Sequence, residues 1–395
     1  MTRRIGVAER RARLGLRHHL ARGERAGDPV EVARSLVAVH STDPSSVYLG
    51  LLARTTGGGI ADVERALYLD KTLIRLLGMR RTVFVATGDD AALIQAACSR
   101  AVAAVERAKL LGWLADADVA EDVSGWLAEA EWAVLAALAS RGEATAAEVA
   151  ASDPRLRVRL RLGQGSSAGQ FNVASRVLFL LAADGRVLRG RPRGSWTSHQ
   201  YRWVLPEAWC PAGLTSWATA NAEVELARRW LRAYGPATTD DLRWWAGWTK
   251  TTVRRVLTEL RPAEVDLDGA PGIAASDDLE PTPSGEPWVA LLPGLDSTPM
   301  GWQQRDWFLG EHTGRLFDRT GNVGPTLWWD GRIVGGWAQH RDGQIVCRFL
   351  EDVGSDAVAA ADAAAKRLAG LVGSVRLTPR TRGGTWLEQE LSGAG

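Results

Sequence analysis

His40, Thr42 and Asp43 fall together in the run Val39-His40-Ser41-Thr42-Asp43-Pro44. An imidazole, a hydroxyl and a carboxylate are groups that accept, donate or orient protons at a reacting centre. The segment before them, Pro29 to Val39, spaces apolar and charged residues in helical rhythm, and a second helical run starts at Ser45. A turn between two helices needs only a small residue and a cap. Three such groups crowded into one turn are unusual, and chemistry in this chain is expected here. Each group also has a plain structural use. Asp before Pro caps a helix, Thr caps turns, and a histidine can simply be buried.

The elements around the turn can be read from the pattern. Residues 5–20 read as an amphipathic helix, and Asp28-Pro29 and Asp43-Pro44 start the next two. A short helix over Asp62 to Leu69 follows. Leu73 to Ala86 is β-rich and centred on Gly78, which predicts a hairpin. Helices closed by a basic hairpin make a winged-helix unit. The order recurs. Trp132 to Leu138, the Gly142 turn, Thr145 as N-cap and the helix from Ser175 lead to a basic hairpin over Arg186 to Trp196. An Arg- and Gly-rich insertion, Arg155 to Phe171, reads as a flexible, DNA-contacting hairpin. A third unit runs from Ala222 to Leu260, with Thr249 to Leu257 as its candidate recognition helix. From Trp288 the pattern changes to strands, with an Asp330-Gly331 hairpin turn and a closing helix over Ala357 to Leu371. The expected fold is α+β and mainly helical: three tandem winged helix-turn-helix units over 1–88, 89–210 and 211–285, and a C-terminal α+β module over 286–395. Trp113, Trp126 and Trp132 are expected in the core.

Composition narrows the class. The chain has 395 residues, 46% apolar and 24% charged, enough for two or three folded domains. No apolar run reaches the roughly 20 residues that cross a bilayer, and the basic N-terminus is not followed by an apolar signal core. A cytoplasmic, nucleoid-associated protein is expected. Cys98, Cys210 and Cys347 are far apart with no CxxC, and no His, Cys or Asp cluster has ligand spacing, so no metal is expected. No phosphate-loop or dinucleotide fingerprint occurs, so no cofactor is expected. Net charge is only +2, but the basic residues are 44 arginines against four lysines. They cluster locally, and three units each with a basic wing or helix point to nucleic acid. Arg80 and Arg81 on the first wing, Arg157, Arg159 and Arg161 in the insertion, and Arg189, Arg191 and Arg193 on the second wing are the candidate phosphate contacts.

Several segments together resemble the AlkZ/YcaQ-type DNA glycosylases. They are Leu36 to Pro44, Met79 to Phe84, Leu291-Leu292-Pro293-Gly294-Leu295-Asp296, Gly301 to Asp306, Gly324-Pro325-Thr326 and Asp330 to Gly335. The resemblance implies three winged helices in a C-shaped body around a duplex-sized channel. It implies excision of alkylated bases, including bulky N7-guanine adducts and interstrand crosslinks, and in some producing bacteria self-resistance to a DNA-damaging antibiotic. The family carries Gln-x-Gln or Gln-x-Asp where this chain has His40 and Thr42, followed by Asp43. The resemblance thus makes His40, Thr42 and Asp43 the candidate catalytic set. His40 and Thr42 would orient a water against the sugar, and Asp43 would add negative charge or orient His40. No lysine lies near the turn, so a Schiff-base lyase step is not expected. The implied partner is double-stranded DNA carrying alkylated guanine, bound by a monomer. The alternative is a winged-helix protein that binds DNA, or an adduct or drug, without catalysis.

Overall fold

The structure is a computed structural model that describes residues 2–162, 169–211, 213–378 and 384–393. Residues 163–168, with Gly163-Gln164-Gly165, and the Arg161 side chain lie outside the described residues. The chain is a mixed α+β protein, about 48% helical and 18% strand.

Three segments share one element order: helix, short strand, helix, helix, then two longer strands. In the first, Asp28 caps helix Pro29–Ser35, accepting from the amides of Val30 and Glu31. Strand Val39–His40 follows, then helix Pro44–Leu52, helix Ile60–Glu64 continuing into Arg65–Leu69, and strands Leu73–Leu77 and Val83–Thr87. The short strand pairs with the last strand, which pairs with the first long one. The second segment repeats this with helix Val123–Arg141, strand Glu143–Thr145, helices Ala146–Ser152 and Val173–Ala183, and strands Leu188–Pro192 and Tyr201–Val204. Thr145 and Glu148 form the capping box that starts the Ala146 helix. The third has helices Thr219–Tyr234, Thr239–Ala246 and Lys250–Leu260 and strands Ala263–Leu267 and Ala270–Ala274, with Ala237 bridging Ile273 in place of the short strand.

The expected first unit over 1–88 begins with a segment that joins the third sheet instead. Strand Arg3–Arg4 lies parallel to Ala263–Leu267, and Arg17 of helix Val7–Arg17 donates to the Gly235 carbonyl and pairs with Asp278. A two-residue strand carries no recognisable alternation, so the sequence gives no sign of that pairing. The insertion is an antiparallel hairpin, Arg159–Leu162 with Gly169–Asn172, as expected. Trp132 corrects a core assignment: it is 71% exposed, because its helix buries the Leu127, Val134 and Leu138 stripe.

Past Trp288 an antiparallel sheet orders Val289–Leu292, Thr326–Trp329, Arg332–Gln339 and Ile345–Phe349. Asp330 and Gly331 both take positive φ at its hairpin, as a tight two-residue turn requires. Leu291, Leu327, Val334 and Trp337 of this sheet share one core with Val39, Tyr48, Leu51 and Val85 of the first segment. The loop leaving strand Val289–Leu292 is what grips that segment. Arg54, at the end of helix Pro44–Leu52, forms a two-pronged ion pair with Asp296 at 2.6 and 2.9 Å, both side chains buried. Arg54 also donates to Thr298 Oγ1 and to the Gly50 carbonyl.

Removing one partner of a buried pair leaves the other charge desolvated and alone. Asp296→Ala is expected to destabilise the fold by about 3–5 kcal/mol, read as a lowered urea midpoint. A midpoint within error of wild type would mean that the pair is not what joins the first segment to the C-terminal sheet.

Candidate active site

Backbone pairing places the polar turn. His40 faces Phe84 across the first sheet, and the Ser41 amide donates to the Val83 carbonyl. Side chains alternate along this extended stretch, so its two polar faces are distinct. On one face, the His40 ring meets Phe84 edge-on at 5.2 Å between centroids. Its Nδ1 accepts from the Thr42 backbone N–H at 3.4 Å. A backbone amide can only donate, so Nδ1 is the acceptor in this contact. The His40 amide donates to Ser297 Oγ, which donates in turn to the Ala38 carbonyl. The loop that grips Arg54 thus also pins both sides of the turn. Thr42 Oγ1 is buried and has no hydrogen-bond partner among the described residues.

Asp43 behaves as a cap. Its carboxylate accepts from the Ser45 amide at 3.1 Å and from the hydroxyls of Ser45 and Ser46 at 2.9 and 3.2 Å. Asp43 also lines a cavity of about 280 Å³ with Asp318, Asn322 and Glu388 on the other wall.

On the opposite face the strand presents a group that sequence reasoning missed. Arg75 is 2% exposed, and its Nε donates to Ser41 Oγ at 2.8 Å. Its Nη1 donates to the Tyr68 hydroxyl at 2.8 Å, and its guanidinium lies 4.7 Å over the Tyr201 ring. The phenols of Tyr201, Tyr68 and Tyr48 hold its charge firmly, outweighing the burial that opposes it. The signal was present: one arginine inside Leu73-Ile74-Arg75-Leu76-Leu77, an otherwise apolar strand. Trp196 packs on Tyr48 at 5.2 Å in the same neighbourhood.

The structure divides the eight arginines proposed to touch phosphate. Arg80 lies flat on Trp244 at 3.8 Å, and burial pushes its guanidinium down to about 10. Arg305 stacks on the same ring at 4.9 Å. Arg80 thus packs the first hairpin against helix Thr239–Ala246. Arg81 pairs with Glu106, Arg191 pairs with Glu64, and Arg157 donates to the Ala150 and Ala151 carbonyls at a helix end. Arg189 is largely buried, over Tyr201 and Trp203 at 5.4 Å from each. Arg159 and Arg193 are exposed. The Arg161 side chain lies outside the described residues. Among the described residues no group of three or more His, Cys, Asp or Glu could hold a metal ion. No helix among them is long and apolar enough to cross a membrane.

Glu388 carries a pH signature across the cavity from Asp43. Burial pushes its carboxyl up, the Thr385 amide and hydroxyl pull it down, and Asp43 and Asp318 repel its charge. The folded-state value lies above the unfolded one, so its contribution is favourable below the unfolded value and is lost as pH rises through the folded one. Glu388→Gln keeps the acceptor for the Thr385 amide. It is expected to raise the thermal midpoint at pH 8 by about 1–2 °C and to change nothing at pH 4. An equal shift at both pH values would refute the assignment.

Three comparisons bear on this site. The family model described as DNA glycosylase AlkZ-like matches residues 33–371. The solved structure of Streptomyces sahachiroi DNA glycosylase AlkZ aligns with a TM-score of 0.73 and 21% identity, over 95% of this chain and 98% of that one, a likeness of fold. No curated protein sequence matches the chain. The family match runs from before the polar turn to the helix behind the C-terminal sheet, and the chain accordingly belongs to the AlkZ-like DNA glycosylase family.

Proposed function

We propose that this DNA glycosylase is monofunctional and hydrolyses the N-glycosidic bond of N7-alkylated guanine in duplex DNA, including bulky adducts of the kind a DNA-damaging natural product leaves. The observation that carries the reading is the position of Thr42 beside His40, on a turn fixed by Ser297 and Val83, in a chain of the AlkZ-like glycosylase family. A hydroxyl held in place on a fixed turn can accept from a substrate water without reorganising.

N7-alkylation makes guanine cationic and a good leaving group without a proton from the enzyme. What remains is to position a water against C1′ as the sugar becomes oxocarbenium-like. Thr42 Oγ1 accepts from that water. His40 fixes the Thr42 backbone through Nδ1, so the two residues act as one unit. They stand where the family has Gln-x-Gln or Gln-x-Asp, and a water-orienting role needs an acceptor in place more than one particular side chain. Asp43 contributes by capping the helix that follows. The three segments of common element order serve as winged helices against the duplex, with Arg159, Arg191 and Arg193 at the phosphates.

Two of the four lysines are engaged elsewhere. Lys71 Nζ donates to the Ala208 carbonyl and Lys109 pairs with Glu106. Borohydride treatment of a reaction mixture is therefore expected to trap no protein–DNA adduct, and a trapped adduct would overturn the monofunctional assignment.

The deciding experiment uses oligonucleotides with one N7-alkylguanine, simple in one set and bulky in the other, incubated with protein and then heated in alkali. Strand cleavage at the modified guanine is expected. His40→Ala and Thr42→Val should slow it about 10²–10⁴-fold with DNA affinity retained. No cleavage of either adduct, with tight salt-sensitive binding intact, would make this reading wrong. Full activity in Thr42→Val would move the water-holding role elsewhere.

A further inference from the structure

Two largely buried guanidiniums flank one phenol ring beside the polar turn. Arg75 lies 4.7 Å from the Tyr201 ring and Arg189 lies 5.4 Å from it. Tyr201, Tyr68 and Tyr48 surround Arg75, and Tyr201 and Arg75 are close to Arg189. Neither forms an ion pair among the described residues. Two like charges repel in a poorly solvated place, and stacking on tyrosine offsets only part of that. Donors also remain unused. Arg75 Nη2 and the Tyr201 hydroxyl are buried without a hydrogen-bond partner, and Tyr201 is only 8% exposed.

Space exists beside these groups. Both arginines line a cavity of about 180 Å³ between the first sheet and the second segment, with Ser175, Phe179 and Trp203 among its walls. That volume takes several waters or one tetrahedral oxyanion. Paired guanidinium forks with hydroxyl donors are the chemistry that recognises phosphate oxygens.

We propose that Arg75 and Arg189, bracketing Tyr201, form a binding site for one phosphate group between the first and second segments. The site deepens the DNA reading above and rests on it for its natural occupant, a backbone phosphodiester near the lesion. Arg75 donates to Ser41 Oγ, the residue between His40 and Thr42. A phosphate held there therefore sets the strand at a fixed distance from the turn. Arg75 and Arg189 are positioning residues in this scheme, since they touch the backbone and not the reacting bond.

The test uses the full-length protein and two probes. The first is inorganic phosphate, followed by thermal unfolding against sodium chloride of equal ionic strength. Phosphate also stabilises proteins generally by exclusion, so the reading is the difference between wild type and the variants Arg189→Gln and Tyr201→Phe. The second is unmodified duplex DNA, with affinity measured against salt. Wild type should gain more from phosphate than either variant, and Arg189→Gln should weaken DNA binding about tenfold and lower the log–log salt slope by about one. Tyr201→Phe removes one hydroxyl and spares the ring, which keeps the test valid if larger changes fail to fold. A phosphate gain lost in the variants with an unchanged DNA slope would support the site and identify free phosphate as its ligand. Equal phosphate gains in all three proteins, with an unchanged slope, would overturn the proposal. Base excision is not a readout here, so a chain that excised no adduct would refute the glycosylase mechanism and leave the phosphate site standing.

Discussion

The Arg54–Asp296 pair is the constraint around which the site is built. A charge pair in a dry core survives only when its remaining donors and acceptors are met. Here most of them are: Arg54 serves the Gly50 carbonyl and Thr298 Oγ1 through its two Nη atoms, and Asp296 accepts from the Thr298 amide. The network continues to His18, whose Nδ1 meets Thr298 Oγ1 at 2.7 Å and whose Nε2 donates to the Ala233 carbonyl. Burial, followed by the Arg54 charge, pushes His18 well below its ordinary value and keeps the ring neutral. Helices Val7–Arg17, Pro44–Leu52 and Thr219–Tyr234 thus meet at one loop of the C-terminal sheet. The constraint reaches into the composition: a Cβ on Gly50 would stand 3.1 Å from an Asp296 carboxylate oxygen.

The polar turn inherits its order from that loop. Ser297 receives the His40 amide and serves the Ala38 carbonyl, and Ser46 donates to the Gly294 carbonyl. Flanking residues therefore carry the structural work, and Thr42 is left with an unused hydroxyl. A site held by second-rank contacts can change its reacting side chains without losing its geometry.

Arginine abundance does not translate into an evenly charged binding face. A guanidinium stacks on aromatic rings as readily as it meets an anion, and this chain has 18 tryptophans to receive it. Arg80 and Arg305 share Trp244, Arg10 lies over Trp307, and Arg315 over Trp386. Arginine thereby joins the segments to one another as well as facing outward. The same versatility makes Arg75 possible inside a sheet, where three of the chain's four tyrosines gather around it.

The sequence by itself determined the local features. Asp28-Pro29 and Asp43-Pro44 start helices, Thr145 with Glu148 and Thr238 with Asp241 make capping boxes, and Asp330-Gly331 turns a hairpin. These signals act within a few residues, so they can be read in order along the chain. The polar turn was legible for the same reason, since His40 and Thr42 are two apart and share a face. Only the tertiary structure decided what lay across from it. Arg75 reaches Ser41 from 34 positions away, Tyr201 joins from a different segment, and Asp296 finds Arg54 across 242 positions. Whether an arginine pairs, stacks or faces solvent depends on partners that far apart in sequence. Arg80 and Arg159 look alike in the sequence, yet one is packed on Trp244 and the other exposed, because folding brought a tryptophan to only one of them.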